Sequence, residues 1–371
     1  MRVVYRPKDH GACGYYRCRL PGERLEEHGL AEVMVCDGRY TQEDMTYQSA
    51  SSDVHVFQYP STPTSFNYIM WAAEHLPEQK IVVEMDDNPY AISPFNEMGY
   101  PDFGLHEVEY TFPGQDKPVK LWQDGRNGLD IKRNEERIAM FTDCLRKAAL
   151  VTTTVEPLAK VFGEVSKNVL AFPNCLDFRI WKPYRPPRTD DTVRIAWHGG
   201  ASHYEDWHMI HEAVRRVMER NEKTRLLIFG STWESMFRDY PEGRLDYAEW
   251  CDIHMFPYVL AWLPIDIGIC PLKETEFSVC KSPLKWEELA ALSLPAVASN
   301  TPPYSNAIEH GKTGMLADDP QAFEEHLEEL VRNPEKRREI GLNAMCAVRA
   351  GYDIDVRIKD LWEAYKAIME T

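Results

Sequence analysis

In the stretch Lys281-Ser282-Pro283-Leu284-Lys285-Trp286-Glu287-Glu288, cations, a cap residue and carboxylates crowd one helix start. Ser282 is a good N-cap, Pro283 fits the first helical position, and Leu284 onward continues as a helix. The amides of a first helical turn and the positive end of its dipole hold phosphate oxygens. Lys281 and Lys285 oppose that dipole, a conflict that a bound diphosphate would remove. Glu288 follows Lys285 by three residues on the same face. Its carboxylate there can accept hydrogen bonds from the vicinal hydroxyls of a ribose. A solvated amphipathic helix with a Lys–Glu pair is the alternative, and local physics weighs the two equally.

Three further groups carry chemistry. Trp197-His198-Gly199-Gly200-Ala201-Ser202-His203 follows an apolar run. Gly199 and Gly200 allow close backbone approach to a ligand, and His203 or the amides around it can meet a phosphate. His208 and His211 follow at helical spacing, but the four histidines match no zinc pattern and read as helix-surface residues. His10-Gly11-Ala12-Cys13-Gly14-Tyr15-Tyr16-Arg17 is a loop after the first apolar run, where Gly11, Gly14 and Arg17 can meet an acceptor. Glu84-Met85-Asp86-Asp87-Asn88-Pro89 pairs two carboxylates at a strand end. Asp86 and Asp87 can bind a metal, act as a base, hold sugar hydroxyls or cap the Asn-Pro turn.

Elements of one kind must position these groups. Short apolar runs recur at Met1–Tyr5, Glu32–Cys36, Val54–Gln58, Lys80–Met85, Ala149–Thr153 and Asn168–Phe172, then at Val193–Trp197, Arg225–Phe229, Ile265–Cys270 and Pro295–Ser299. They are apolar nearly throughout rather than alternating, so both faces are buried as in parallel sheets. Amphipathic helical stretches lie between them, and two more close the chain near Pro334–Ala350 and Val356–Met369. The pattern predicts two doubly wound α/β domains. Residues 1–177 form the first and 193–352 the second, with a Pro-rich linker at 178–192 and a C-terminal helix over 353–371. Residues 88–130 interrupt the alternation with an aromatic insert that includes Trp122, read equally as a functional platform or a loop with its own apolar cluster.

Composition narrows the classes. The 371 residues are 44% hydrophobic, enough for a full core in each domain. The net charge of −17 opposes a protein that coats nucleic acid with its whole surface. Residues 1–24 nevertheless hold six basic against two acidic residues, a net +4, leaving −21 for the remainder. No apolar run reaches the ~20 residues of a membrane span, and the first residues lack a signal-peptide stretch. Nine scattered Cys without a C-x-x-C pair fit a reduced, cytoplasmic protein.

The residues resemble the GT-B fold glycosyltransferases of the retaining family-four type, in order and over most of the chain. VTTTVEPLAKVF is similar to that family's end-of-first-domain strand and helix, and PNCLD to its P-N-G-V-D element. DIGICPL resembles the strand before the donor loop, KSPLKWEELAALSLPAVAS the donor-binding helix, and GKTGMLADD the G-x-x-G-x-L turn. GACGYYRCRLP, EMDDNPY, WHGGASHYEDW and KSPLKW are similar to a branch common in bacteriophages. The resemblance implies two Rossmann-like domains facing a cleft, with a nucleotide-sugar, such as a UDP-sugar, on the second. Glu288 then matches the ribose-binding glutamate, and the amides near Ser282 and Leu284 the diphosphate turn. Three departures stand out. The family's first glutamate falls on Cys280, its glycine before the late proline is Ser293, and the usual Arg and Lys after the second domain's first strand are not evident, so that Lys281, Lys285 and His203 stand in.

The expected reaction is glycosyl transfer with retention and without a metal or other cofactor. Lys285, Lys281, His203 and Asp86 are the expected catalytic residues. Glu288, Ser282, Leu284, Gly199 and Gly200 bind the donor. Gly11, Gly14, Arg17, Asp87 and Trp122 bind the acceptor. That acceptor is either hydroxymethylpyrimidine in phage DNA, favoured by the basic first 24 residues, or a glycan or lipid-linked saccharide. A nucleotide-sugar epimerase and a non-catalytic nucleotide-sugar-binding protein are the readings of other classes.

Overall fold

The structure, a computed structural model, describes residues 1–36, 47–112, 114–184, 190–230 and 234–370. It divides into two compact units, Met1–Pro173 with Ile358–Thr371, and Asn174–Arg357. The expected boundaries at 177 and 193 differ from this division. Phe178 and Trp181 are buried, and the Trp181 ring meets Phe256 edge-on at 5.9 Å. The first part of the expected linker is therefore packed into the second unit by its aromatic residues, and residues 185–189 lie outside the described ones.

The first unit is built on strands β1 (Arg2–Arg6), β2 (Glu32–Val35), β3 (Val54–Gln58) and β4 (Lys80–Glu84). An antiparallel hairpin follows, β5 (Val108–Tyr110) with β6 (Val119–Trp122), and then β7 (Leu150–Thr153) and β8 (Val169–Ala171). Outside the hairpin the order is β2-β1-β3-β4-β7-β8, all parallel. Every residue of β3 and β7 is buried, as continuous apolar runs require when helices cover both faces.

The second unit holds β9 (Val193–Gly199), β10 (Thr224–Gly230), β11 (Leu245–Ala248), β12 (Ile267–Cys270), β13 (Ala296–Ser299) and β14 (Met315–Ala317). Its order is β11-β10-β9-β12-β13-β14, again all parallel. Its core joins Trp197, Trp207, Ile228, Ile267 and Val297 with Phe323 and Leu327 of the helix Pro320–Arg332. The helix Ile354–Met369 leaves this unit and ends in the first, where Tyr365 Oη lies 3.1 Å from Tyr5 Oη of β1.

In each unit the chain moves outward on one side of its first strand and then crosses to the other. The order therefore reverses between β1 and β3 in the first unit and between β9 and β12 in the second. Loops at the carboxyl ends of such strand pairs diverge to opposite faces of the sheet and leave a crevice where ligands bind.

Candidate active site

The second unit's crevice collects the residues at the carboxyl ends of β9 and β12. The helix Leu284–Ala291 packs on β12 so closely that a Cβ on Gly268 would fall 2.3 Å from Leu289. Trp286 and Glu288 are buried on that helix. Glu288 Oε2 accepts a hydrogen bond from His198 Nε2 at 2.8 Å. One turn earlier, Lys285 Nζ lies 2.8 Å from His203 Nε2. The ammonium can only donate, so Nε2 accepts and the ring proton sits on Nδ1. That proton is donated to Asp206 Oδ2 at 2.5 Å, while Asp206 Oδ1 accepts from the Lys273 amide at 2.7 Å. Burial, with Lys285 adding to it, pushes the His203 pKa down to about 4, so the ring is neutral at pH 7. The Lys285 ammonium is lowered by burial and by Lys281.

Gly199 sits at φ +155° between these pairs. A Cβ there would fall 2.9 Å from the Trp197 ring and 3.1 Å from Lys285 Cε, so the lysine stem runs over a backbone only glycine can form. Gly200 faces open space. The structure thus brings Glu288, Lys285, His203, Gly199 and Gly200 together, two side chains from one helix meeting His198 at the end of β9 and His203 in the loop after it. His198 and His203 are buried, which corrects their reading as surface residues.

Ser282 departs from its expected role. The helix begins at Leu284 with Pro283 in the cap position and no side-chain cap bond. Ser282 Oγ instead accepts from Asn174 Nδ2 at 2.9 Å. Proline's fixed φ can initiate the helix itself, so the serine is released to hold Asn174 of the PNCLD element. Lys281 Nζ lies 4.5 Å over the Phe277 ring. Ser293 stands at φ +58°, the left-handed conformation that ends this helix and that glycine adopts without strain.

In the first unit the expected acceptor residues scatter. Arg17 is buried, its Nε 2.7 Å from Glu84 Oε1 and Nη2 2.9 Å from Oε2, with Nη1 donating to the Phe172 carbonyl. Neutralising Glu84 beneath the sheet ends is its structural task, so it forms no exposed rim. Arg24 is buried and paired with Glu27, and Arg2 pairs with Glu32. Three of the six basic residues among the first 24 are therefore spent on internal pairs. The Gly11 and Gly14 amides are taken by Asp9 Oδ1, at 2.8 and 3.1 Å, so this loop closes on its own carboxylate. Trp122 is buried, stacked on Tyr100 at 5.1 Å and donating to the Pro94 carbonyl at 2.6 Å. The insert is a hairpin with its own apolar cluster of Tyr100, Trp122 and Leu129.

Asp86 and Asp87 remain at the end of β4. Burial raises the Asp86 pKa to about 6, aided by Asp87 and Glu84 and opposed by a Cys13 hydrogen bond and Arg17. Its Oδ1 is buried without a hydrogen-bond partner among the described residues. Neither Asp206 nor Asp9 is singled out by sequence reasoning, and the spacing of Asp206 one turn after His203 is the one available clue.

Residues 208–363 match a sequence-family model described as glycosyl transferase-like. No curated protein sequence matches the chain. Among solved structures, HepE from Anabaena in complex with UDP-glucose is 11% identical with TM-score 0.66, over 99% of this chain and 100% of that one. Sucrose-phosphate synthase from Thermosynechococcus elongatus is 14% identical with TM-score 0.62, over the whole of both chains. A glycosyltransferase from Rickettsia africae is 9% identical with TM-score 0.67, over 100% of this chain and 99% of that one. At such identities the likeness establishes the fold. The chain therefore has the two-domain α/β fold of GT-B glycosyltransferase structures, and over residues 208–363 it matches a glycosyl transferase-like family model.

Proposed function

We propose that the chain transfers a glycosyl group, with retention, from a nucleoside diphosphate sugar held by the second unit to a saccharide hydroxyl held by the first. The observation that carries this is the pairing of Glu288 with His198 beside Lys285 with His203. A carboxylate fixed by a histidine suits ribose hydroxyls, and an ammonium fixed by a neutral histidine suits a diphosphate one turn away. UDP is the favoured nucleotide, since the HepE structure holds UDP-glucose.

In the reaction the anomeric carbon–phosphate oxygen bond breaks and a bond to the acceptor oxygen forms on the same face. The hydroxyl proton leaves with the diphosphate. Lys285, Lys281 and the first amides of the helix Leu284–Ala291 stabilise the departing charge, an electrostatic contribution that needs no metal. His203 and Asp206 position Lys285. Gly199 and Gly200 keep the backbone low beneath the donor. Asp86 orients the acceptor hydroxyl.

The test is a panel of nucleotide-sugars and saccharides, read as nucleoside diphosphate release and as product anomeric configuration by NMR. Release with retained configuration is expected. A rearranged free nucleotide-sugar would mark an epimerase, and binding without release a non-catalytic protein. A hydroxymethylpyrimidine duplex stands second as acceptor, because Arg2, Arg17 and Arg24 are spent on internal pairs. Steeply salt-dependent transfer to such a duplex would reverse that order.

A further inference from the structure

The first unit has a crevice of its own at the β1–β3 reversal, and it opens as a cavity of about 440 Å³. Arg6 and Lys8 line it from the end of β1, Tyr59 from the end of β3, and Thr64 and Ser65 from the first turn of the helix Pro63–His75. Arg6 and Lys8 belong to the basic residues of the first 24 that the sequence offered as an acceptor contact, whereas Tyr59, Thr64 and Ser65 were not singled out. Lys8 Nζ lies 4.1 Å over the Tyr59 ring. Tyr59 itself sits at φ +53°, a left-handed conformation that strains a non-glycine residue. Such strain persists where the surroundings impose it, commonly at ligand sites.

Among the lining residues cations outnumber carboxylates, while burial and then Asp87 and Asp86 from the end of β4 raise the pKa of the Tyr59 hydroxyl. Arg6 Nε donates to His55 Nε2 at 2.9 Å and its Nη2 to Ser49 Oγ at 2.5 Å. An imidazole nitrogen that accepts from a guanidinium is neutral, so Arg6 is oriented but not neutralised. Neither Arg6 nor Lys8 forms an ion pair among the described residues, although the chain carries a net −17. The one carboxylate in the wall, Asp102, is paired with Arg137. Aromatic faces, hydroxyls and two uncompensated cations in one crevice match a sugar that carries a negative charge.

We propose that this cavity binds the acceptor, and that the acceptor is an anionic saccharide, its ring against Tyr59 and its phosphate or carboxylate on Lys8 and Arg6. The proposal rests on the glycosyl-transfer reading and names the substrate class that reading leaves open.

Calorimetry on the full chain tests it with glucose 6-phosphate, glucuronate, methyl glucoside and inorganic phosphate, with UDP titrated in parallel. The better of the two anionic sugars is expected to bind at least about tenfold tighter than methyl glucoside and than inorganic phosphate, with the phosphate and carboxylate arms separating the two anions. Lys8→Ala should remove that preference. Tyr59→Gly should weaken all three sugars while leaving phosphate unchanged; glycine accepts the positive φ, and circular dichroism checks that loss of the ring's contact with Phe103 leaves the fold intact. UDP affinity should stay constant in both variants. Equal binding of charged and neutral sugars, phosphate binding as tightly as either anionic sugar, or variants that bind as the parent does would each overturn the proposal. Loss of UDP binding in the parent protein would strike the donor reading instead, and leave the sugar result standing.

Discussion

Lys285 donates to the unprotonated nitrogen of His203 across 2.8 Å, and Asp206 holds the opposite side of the same ring. A neutral imidazole that accepts from an ammonium fixes the cation without cancelling its charge. A carboxylate in the same position would neutralise Lys285 and blunt its pull on a diphosphate. In the proposed function this arrangement would supply at one helix start the positive charge that the resemblance leads one to expect from an arginine and lysine after β9.

Removing this support should cost turnover rather than donor affinity. We expect Lys285→Ala to lower kcat by ~10²–10³-fold, the usual loss for one donor to a developing charge. His203→Ala should cost less, about tenfold, because the lysine remains but is no longer held. Steady-state kinetics would contradict this if kcat were unchanged and only KM rose.

Asp86 predicts an acidic limb in the rate profile. Its carboxyl is raised to about 6, so the ionised form that accepts from a hydroxyl disappears as the pH falls through 6. Activity should drop below that point, and Asp86→Asn should abolish the limb together with most of the rate. His203 acts at lower pH. Its folded value near 4 lies below the unfolded value of about 6.5, so the unfolded chain takes up the proton first. Stability is full above pH 6.5 and falls toward pH 4, a trend that denaturant melts in His203→Gln should flatten.

Ser293 offers a stability test independent of function. A serine at φ +58° carries strain of about 1–2 kcal/mol, against a glycine entropy cost of about 0.5–1 kcal/mol. Ser293→Gly should therefore raise stability by up to about 1 kcal/mol, or about 2–4 °C in a unit of this size. A lowered midpoint would show that the serine side chain, 3.0 Å from Met345 Sδ, outweighs the strain.

Metal removal should leave the rate unchanged. Lys285 and Lys281 counter the diphosphate in this account, so dialysis against EDTA followed by assay should give full activity. Loss with recovery on manganese would assign the role to a metal instead.

The ten apolar runs are ten observed strands, since burial on both faces leaves continuous apolar sequence that reads plainly. β11, β14 and the hairpin β5–β6 escaped because they are short and partly exposed, and Leu245-Asp246-Tyr247-Ala248 carries a charge in its middle. Around the second unit's crevice, the glycines and the helix start were legible as local chemistry. The histidine pairings were not, because His198 and Glu288 stand 90 residues apart and only the parallel sheet joins them. The acceptor side failed for a physical reason. Arg17 looks like a surface residue by type and Trp122 like an exposed platform by its place in a long insert, yet tertiary contacts with Glu84 and Tyr100 bury both. The six basic residues near the start were counted by charge, and charge alone does not tell a paired arginine from a free one.

In the proposed function the helix Leu284–Ala291 holds the ribose of a nucleoside diphosphate through Glu288. Isothermal titration of UDP into the parent protein and into Glu288→Ala tests it most directly. Saturable one-to-one binding is expected, weaker by about 1–3 kcal/mol in the variant, the cost of losing charge-assisted hydrogen bonds to a ribose. Equal affinity in the two proteins, with the fold of the variant intact by circular dichroism, would contradict it.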